Sequence, residues 1–204
     1  VSAFLLNRSS DLEIAFWLED WALYSLFRKL HDGSMWTTWD LEYRDWHEGQ
    51  YGIDLSEYED ELLYIKFLQF VFYYQWDMIR KAAHEHGITI MGDVPFYVDL
   101  DSVDVWSHRK DFLLDHEGNP SFVAGCPPDY FSETGQRWGM PIYDFDAQQE
   151  DHFNFWTRRM AWMHRCYDTV RIDHFRAFDT YWKISVSCPT AVDGHWVEAP
   201  GYDL

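Results

Sequence analysis

Twice in this chain a stretch with helical patterning runs directly into a short apolar strand that ends in a carboxylate. The first is "EDELLYIKFLQFVFYYQWDMIRKAAHEHG", residues 59–87, followed by "ITIMGD". Leu63, Phe67, Phe70, Val71 and Trp76 lie on or near one helical face, and Leu68 and Phe72 widen the stripe, which predicts a largely buried helix. Acidic residues open it, Arg80, Lys81, His84 and His86 close it, and Gly87 stands at the C′ position. That order matches the macrodipole and the preference for glycine in the left-handed cap. Ile88–Met91 then reads as a buried strand ending at Gly92-Asp93, ahead of Pro95. The second is "AQQEDHFNFWTRRMAWMHRCYD", residues 147–168, with Phe153, Trp156, Met160 and Met163 at helical spacing. It leads into the strand "TVRID", residues 169–173.

Helix–strand followed by helix–strand predicts an α/β fold with parallel strands. In (β/α)8 barrels the chemistry sits at the C-terminal strand ends, the position of Asp93 and Asp173. A complete barrel needs roughly 250 residues, so two strands in 204 residues amount to part of one. Residues 1–60 read as a helical subdomain, with N-cap candidates Ser9, Ser10 and Asp11 and core positions Phe16, Trp17, Ala22, Leu23 and Phe27. Residues 61–204 read as the partial barrel. Within it, residues 99–149 are punctuated by Gly, Pro and Asp and read as a long functional loop.

Charge and composition remove several function classes. The formal net charge of −19 opposes binding to nucleic acid or to anionic membranes. No apolar run approaches the roughly 18 residues of a membrane span. Cys126, Cys166 and Cys188 are far apart, without CxxC spacing, and read as free thiols in a reducing, cytoplasmic setting. The chain does not begin with Met and has no signal-peptide layout, which suggests a piece of a longer protein. Aromatic residues reach 20%. Most of these rings belong in the core, and the excess also suits a cleft in which sugar C–H faces stack on rings.

In an extended strand, residues i and i+2 point to one face, so Arg171 and Asp173 project together. The guanidinium would hold that carboxylate ionised, as a nucleophile or electrostatic stabiliser requires. On spacing alone a structural ion pair is the favoured reading of these two residues, and His174 alone is more often structural than catalytic. HExxH, zinc-spaced Cys/His sets, an EF-hand loop, GxSxG and the P-loop are all missing from the sequence, so no metal or cofactor is expected.

The segments "MGDVPFYV", "DSVDVW", "VAGCPPDYFSETGQRWGMPIY", "VRIDHFRAF", "SCPTAVDGHWV" and "APG" together resemble the amylomaltases. These are the 4-α-glucanotransferases, or disproportionating enzymes, of glycoside hydrolase family 77. The resemblance is dense from about Trp76 to Gly201 and weaker upstream. It implies an α-amylase-type (β/α)8 barrel carrying helical and loop insertions, acting on α-1,4-glucans with another glucan or glucose as acceptor. It makes Asp173 the nucleophile, with Arg171 in contact with it and His174 touching substrate. Asp93 would line the donor site, Tyr130 and Phe131 would be loop aromatics beside the glucan, and Gln136 and Trp138 would be further residues of that loop.

The implied mechanism is double displacement through a covalent glucosyl-enzyme. The family's acid/base Glu and stabilising Asp belong on later strands, beyond Leu204, so the chain alone is expected to be inactive. Ala177 replaces the glycine of the family's "RIDHFRGF" and would clash if that position needs positive φ. An α-glucan hydrolase of the amylase kind and a non-catalytic glucan-binding module are the alternative readings.

Overall fold

The computed structural model describes residues 16–48 and 52–204, which divide into two compact units between Ile88 and Thr89. The capping residues expected at Ser9–Asp11 lie outside the described residues. In the first unit, α1 (Leu18–Leu30) is followed by the short α2 (Leu41–Arg44) and the long α3 (Glu59–Glu85). Ala22, Leu26, Phe27 and Trp36 are fully buried. Phe27 is the hub, meeting Tyr43 edge-on at 4.9 Å and Trp46 at 5.5 Å. Helix α3 packs along α1, with Lys29 bonded to Glu61 at 2.8 Å, Lys66 paired with Glu19, and Tyr73 5.7 Å from Trp17.

Contrary to the expectation of burial, no residue of α3 is buried. Tyr64, Leu68, Phe72, Met78 and Ile79 are exposed. Apolar residues spread around most of this helix's circumference, and among the described elements α1 packs against one side of it. The helix ends as expected. Gly87 has φ 70°, its N–H donates to His84 O, and Ile88 N–H donates to Ala83 O at 2.9 Å, the paired bonds of a Schellman cap.

The second unit holds β1 (Met91–Pro95), α4 (Val103–Ser107), β2 (Phe122–Cys126), β3 (Gln136–Pro141), α5 (Phe145–Glu150), α6 (Asn154–Cys166), β4 (Thr169–Asp173), β5 (Thr180–Ser185) and β6 (His195–Glu198). Strands β1 and β4 pair in parallel, the partial (β/α)8 arrangement. Strand β1 lies three residues later than expected. Proline ends it rather than preventing it, because Pro95 is the last residue, opposite Asp173.

The stretch expected as one long loop instead supplies two strands of an antiparallel sheet ordered β3-β2-β5-β6. The register shifts between Val123 and Gly125, where Gly125 is so close to Gln136 O that a Cβ could not fit. The single helix expected from residue 147 is broken in two, since His152 and Phe153 take positive φ of 58° and 54°.

The core of this unit is aromatic. Phe96 (1% exposed) packs on Tyr143, Trp156 and Phe178 with centroids 4.8–5.5 Å apart. Tyr143 Oη donates to Phe96 O at 2.7 Å. Arg159 on α6 donates to Pro95 O at 2.7 Å and to Phe96 O at 3.0 Å, so the helix grips the C-terminal end of β1.

Candidate active site

Parallel register decides what faces what. Asp93 lies directly opposite Arg171, and Asp173 is two residues further along the same face. Gly92, Val94, Val170 and Ile172 turn to the other face and are more covered, so the charged trio is left towards solvent. Arg171 bridges both acids, Nη1 donating to Asp93 Oδ2 at 2.6 Å and Nη2 to Asp173 Oδ1 at 2.5 Å. Asp93 first, and Asp173 after it, raise the guanidinium's already high pKa, so the bridge stays cationic. The three side chains are each more than half exposed, so the pair is open to a ligand rather than locked in a core. Charge-assisted bonds of this length fix the direction in which each carboxylate presents its remaining oxygen.

The chain turns immediately after Asp173. His174 takes φ 56°, a left-handed conformation that costs a non-glycine residue about 1–2 kcal/mol and that clusters at functional sites. Its ring stands edge-on to Trp138 at 4.9 Å and tilted to Tyr97 at 6.2 Å. Burial lowers its pKa, Arg176 lowers it further and Asp173 opposes both, so the imidazole is held towards its neutral form. Its Nε2 is buried and has no hydrogen-bond partner among the described residues. Trp138 Nε1 donates to Gln136 Oε1 at 2.9 Å, which settles the tryptophan's orientation.

Six of the eight expected residues therefore come together: Asp93, Arg171, Asp173, His174, Trp138 and Gln136. Tyr130 and Phe131 are held out in solvent, 96% and 90% exposed, with their rings packed on each other at 5.5 Å. Their loop is nonetheless ordered from within. Asp129 Oδ1 accepts from Phe131 N and Ser132 N at 2.9 Å, Ser132 Oγ donates to Gly135 O, and Gly135 supplies φ 67°.

Sequence reasoning did not assign Tyr97, which is 4% exposed, stacks towards both His174 and Trp138, and has its phenol pKa raised by burial. Its position just beyond the end of β1 was the available signal. Among the described residues no three His, Cys, Asp or Glu side chains are grouped as metal ligands would be.

The fold and this cluster define an α/β-barrel protein with an acid–arginine–acid bridge across adjacent strands. The model of the 4-alpha-glucanotransferases, glycoside hydrolase family 77, matches residues 12–204, and the chain belongs to that family. It is 46% identical over 190 residues to the 4-alpha-glucanotransferase of Thermus thermophilus, covering 93% of this chain and 38% of that protein. It is 40% identical over 192 residues to that of Aquifex aeolicus, covering 94% and 39%. Among solved structures, the amylomaltase from Streptococcus agalactiae in complex with acarbose matches with a TM-score of 0.86 and 36% identity, over 100% of this chain and 40% of that one. The chain thus spans about two fifths of the length of these relatives.

Proposed function

We propose that this chain carries the nucleophile-bearing part of a 4-α-glucanotransferase that moves α-1,4-glucan segments by a retaining double displacement. The observation that carries the reading is the Asp93–Arg171–Asp173 bridge on the parallel strand pair of a chain in this family. Asp173 Oδ attacks the anomeric carbon. The bond from that carbon to the 4-oxygen of the leaving glucan breaks, and the leaving oxygen takes a proton from a general acid outside the Asp93–Arg171–Asp173 cluster. In the second half-reaction the 4-hydroxyl of an acceptor glucan or of glucose displaces Asp173, giving up its proton to the conjugate base of that acid.

Arg171, bonded to Asp173, aims its carboxylate at the anomeric carbon. Asp93 and His174 contact the donor sugar, Trp138 and Gln136 wall its site, and Tyr130 and Phe131 stack the acceptor and shield the intermediate from water. No helix among the described residues is long and apolar enough to cross a membrane. Cys126 and Cys188 are free thiols, which supports a reducing, cytoplasmic location.

The test is maltotriose disproportionation by the natural full-length protein. Glucans longer than maltotriose are the expected products, and Asp173→Ala should reduce their formation by about 10⁴-fold or more. Glucose and maltose as the sole products would establish the hydrolase reading. Retention on a glucan column without turnover would establish the binding module.

A further inference from the structure

Arg176 lies three residues beyond Asp173, in the turn Phe175–Phe178. Its guanidinium carbon is 3.9 Å from the centroid of the Trp196 ring, and its Nε donates to Thr180 Oγ1 at 3.3 Å. Trp196 on β6 is the register partner of Trp182 on β5, with centroids 5.2 Å apart. Trp182 Nε1 donates to Ala191 O at 2.9 Å, and Gly194 lies against the Trp182 ring where a Cβ would not fit. Ala191 N in turn donates to Thr134 O at 3.1 Å, inside the loop that carries Tyr130 and Phe131. Contacts therefore run without a gap from Arg176 to that loop. The same positive charge acts on His174 and on Cys126, the last residue of β2 and the root of the loop.

We propose that Arg176 is a positioning residue for the Asp173–His174 turn: its guanidinium, stacked on Trp196, fastens that turn to the β5–β6 hairpin. What the turn does rests on the glucan-transfer reading above; the fastening does not. A planar guanidinium suits this task because it stacks flat on an indole while keeping a direct bond to Thr180, which a lysine ammonium cannot do. The turn needs a fastener because His174 holds a left-handed backbone, which surrounding contacts must keep in place. The groups acting on His174 are Asp173, which favours the imidazolium, and Arg176, which opposes it, together with the uncharged rings of Tyr97 and Trp138.

The experiment follows the His174 imidazole by NMR through a pH titration, its signal assigned with His174→Gln. Arg176→Gln should move the midpoint upward, because a cation that opposed protonation is gone. Trp196→Leu keeps the charge but frees it from its stack and should move the midpoint the same way. Arg176→Lys should recover part of the shift. In maltotriose transfer by the natural protein, Arg176→Gln and Trp196→Leu should each lower kcat by about 10-fold with KM changed less than about 2-fold. If Arg176→Gln does not fold by circular dichroism, Trp196→Leu carries the test alone. Unchanged His174 titration together with unchanged kcat would overturn the proposal. A moved midpoint in a protein whose wild type transfers no glucan would instead overturn the glucan reading and leave the fastening standing.

Discussion

Ala177 occupies the position where the family's "RIDHFR" motif continues with glycine, and a methyl group there strains the chain only if the backbone is left-handed. Ala177 is not among the residues with positive φ; His174, three residues earlier, is. Its side chain is fully buried, so the methyl group fills space instead of straining the backbone. Ala177→Gly should therefore destabilise the protein, by about 1–2 kcal/mol for a lost buried methyl and added unfolded-state freedom, measured as a lower denaturation midpoint. A gain in stability would mean that the alanine is strained after all.

Asp111 makes a different residue-scale case. It is 1% exposed, and its Oδ1 has no hydrogen-bond partner among the described residues. Burial pushes its pKa up to about 6, against the attraction of Lys110 and with help from Asp151 and Asp144. Between about pH 4 and about pH 6 the folded protein keeps a proton that the unfolded chain has released, so stability falls as pH rises through that window. Asp111→Asn should remove this dependence. The variant is expected to be more stable than the wild type above pH 6, by on the order of 2 kcal/mol, and indistinguishable from it below pH 4. Thermal melts across that range decide the matter.

At the scale of elements, the two strands that form the site were legible because each follows a helix and carries a carboxylate, Asp173 at the end of β4 and Asp93 two residues before the end of β1. The i, i+2 rule placed Arg171 beside Asp173. What could not be read was that Arg171 also bonds Asp93, because parallel register is a tertiary property: one residue of slip would put Asp93 on the opposite face. A second register contact explains Gly92. Opposite Val170 on β1's covered face, it lies so close to the Tyr167 ring that a Cβ would collide with it. Gly92→Ala is expected to cost about 1–3 kcal/mol through overpacking. Tyr167→Leu in the same molecule should recover part of that cost, the non-additivity of residues in contact. Equal losses from Gly92→Ala with and without Tyr167→Leu, in denaturant unfolding, would show that the clash is not the cause. The small sheet escaped sequence reading for a related reason. "FVAGC" and "QRWGMP" are short and carry Gly or Pro, so their strand character comes from pairing with each other and with β5 rather than from propensity.

At the scale of the whole molecule, composition foretold the aromatic core around Phe96 and Phe27, whereas it could not foretell that α3 would be no more than half-buried. A stripe's width tells how much of a helix is apolar, not how many neighbours come to cover it. Charge, by contrast, is a whole-molecule quantity that sequence gives directly. With 35 acidic and 16 basic residues, repulsion among the surplus carboxylates opposes compaction. The pairs that offset it, such as Lys29–Glu61 and Lys110–Asp151, join largely exposed lysines to acids, and pairs of this kind contribute about 0–1 kcal/mol each. Salt weakens both effects, but the repulsion is spread over the whole surface and acts at distances near the Debye length of about 10 Å at 0.1 M. Raising NaCl from about 20 mM to about 0.5 M shortens that length several-fold and should raise the unfolding midpoint at neutral pH. The gain should shrink as pH is lowered through the carboxylate range and the surplus charge is neutralised. A midpoint that falls with salt would mean that the local pairs outweigh the global repulsion.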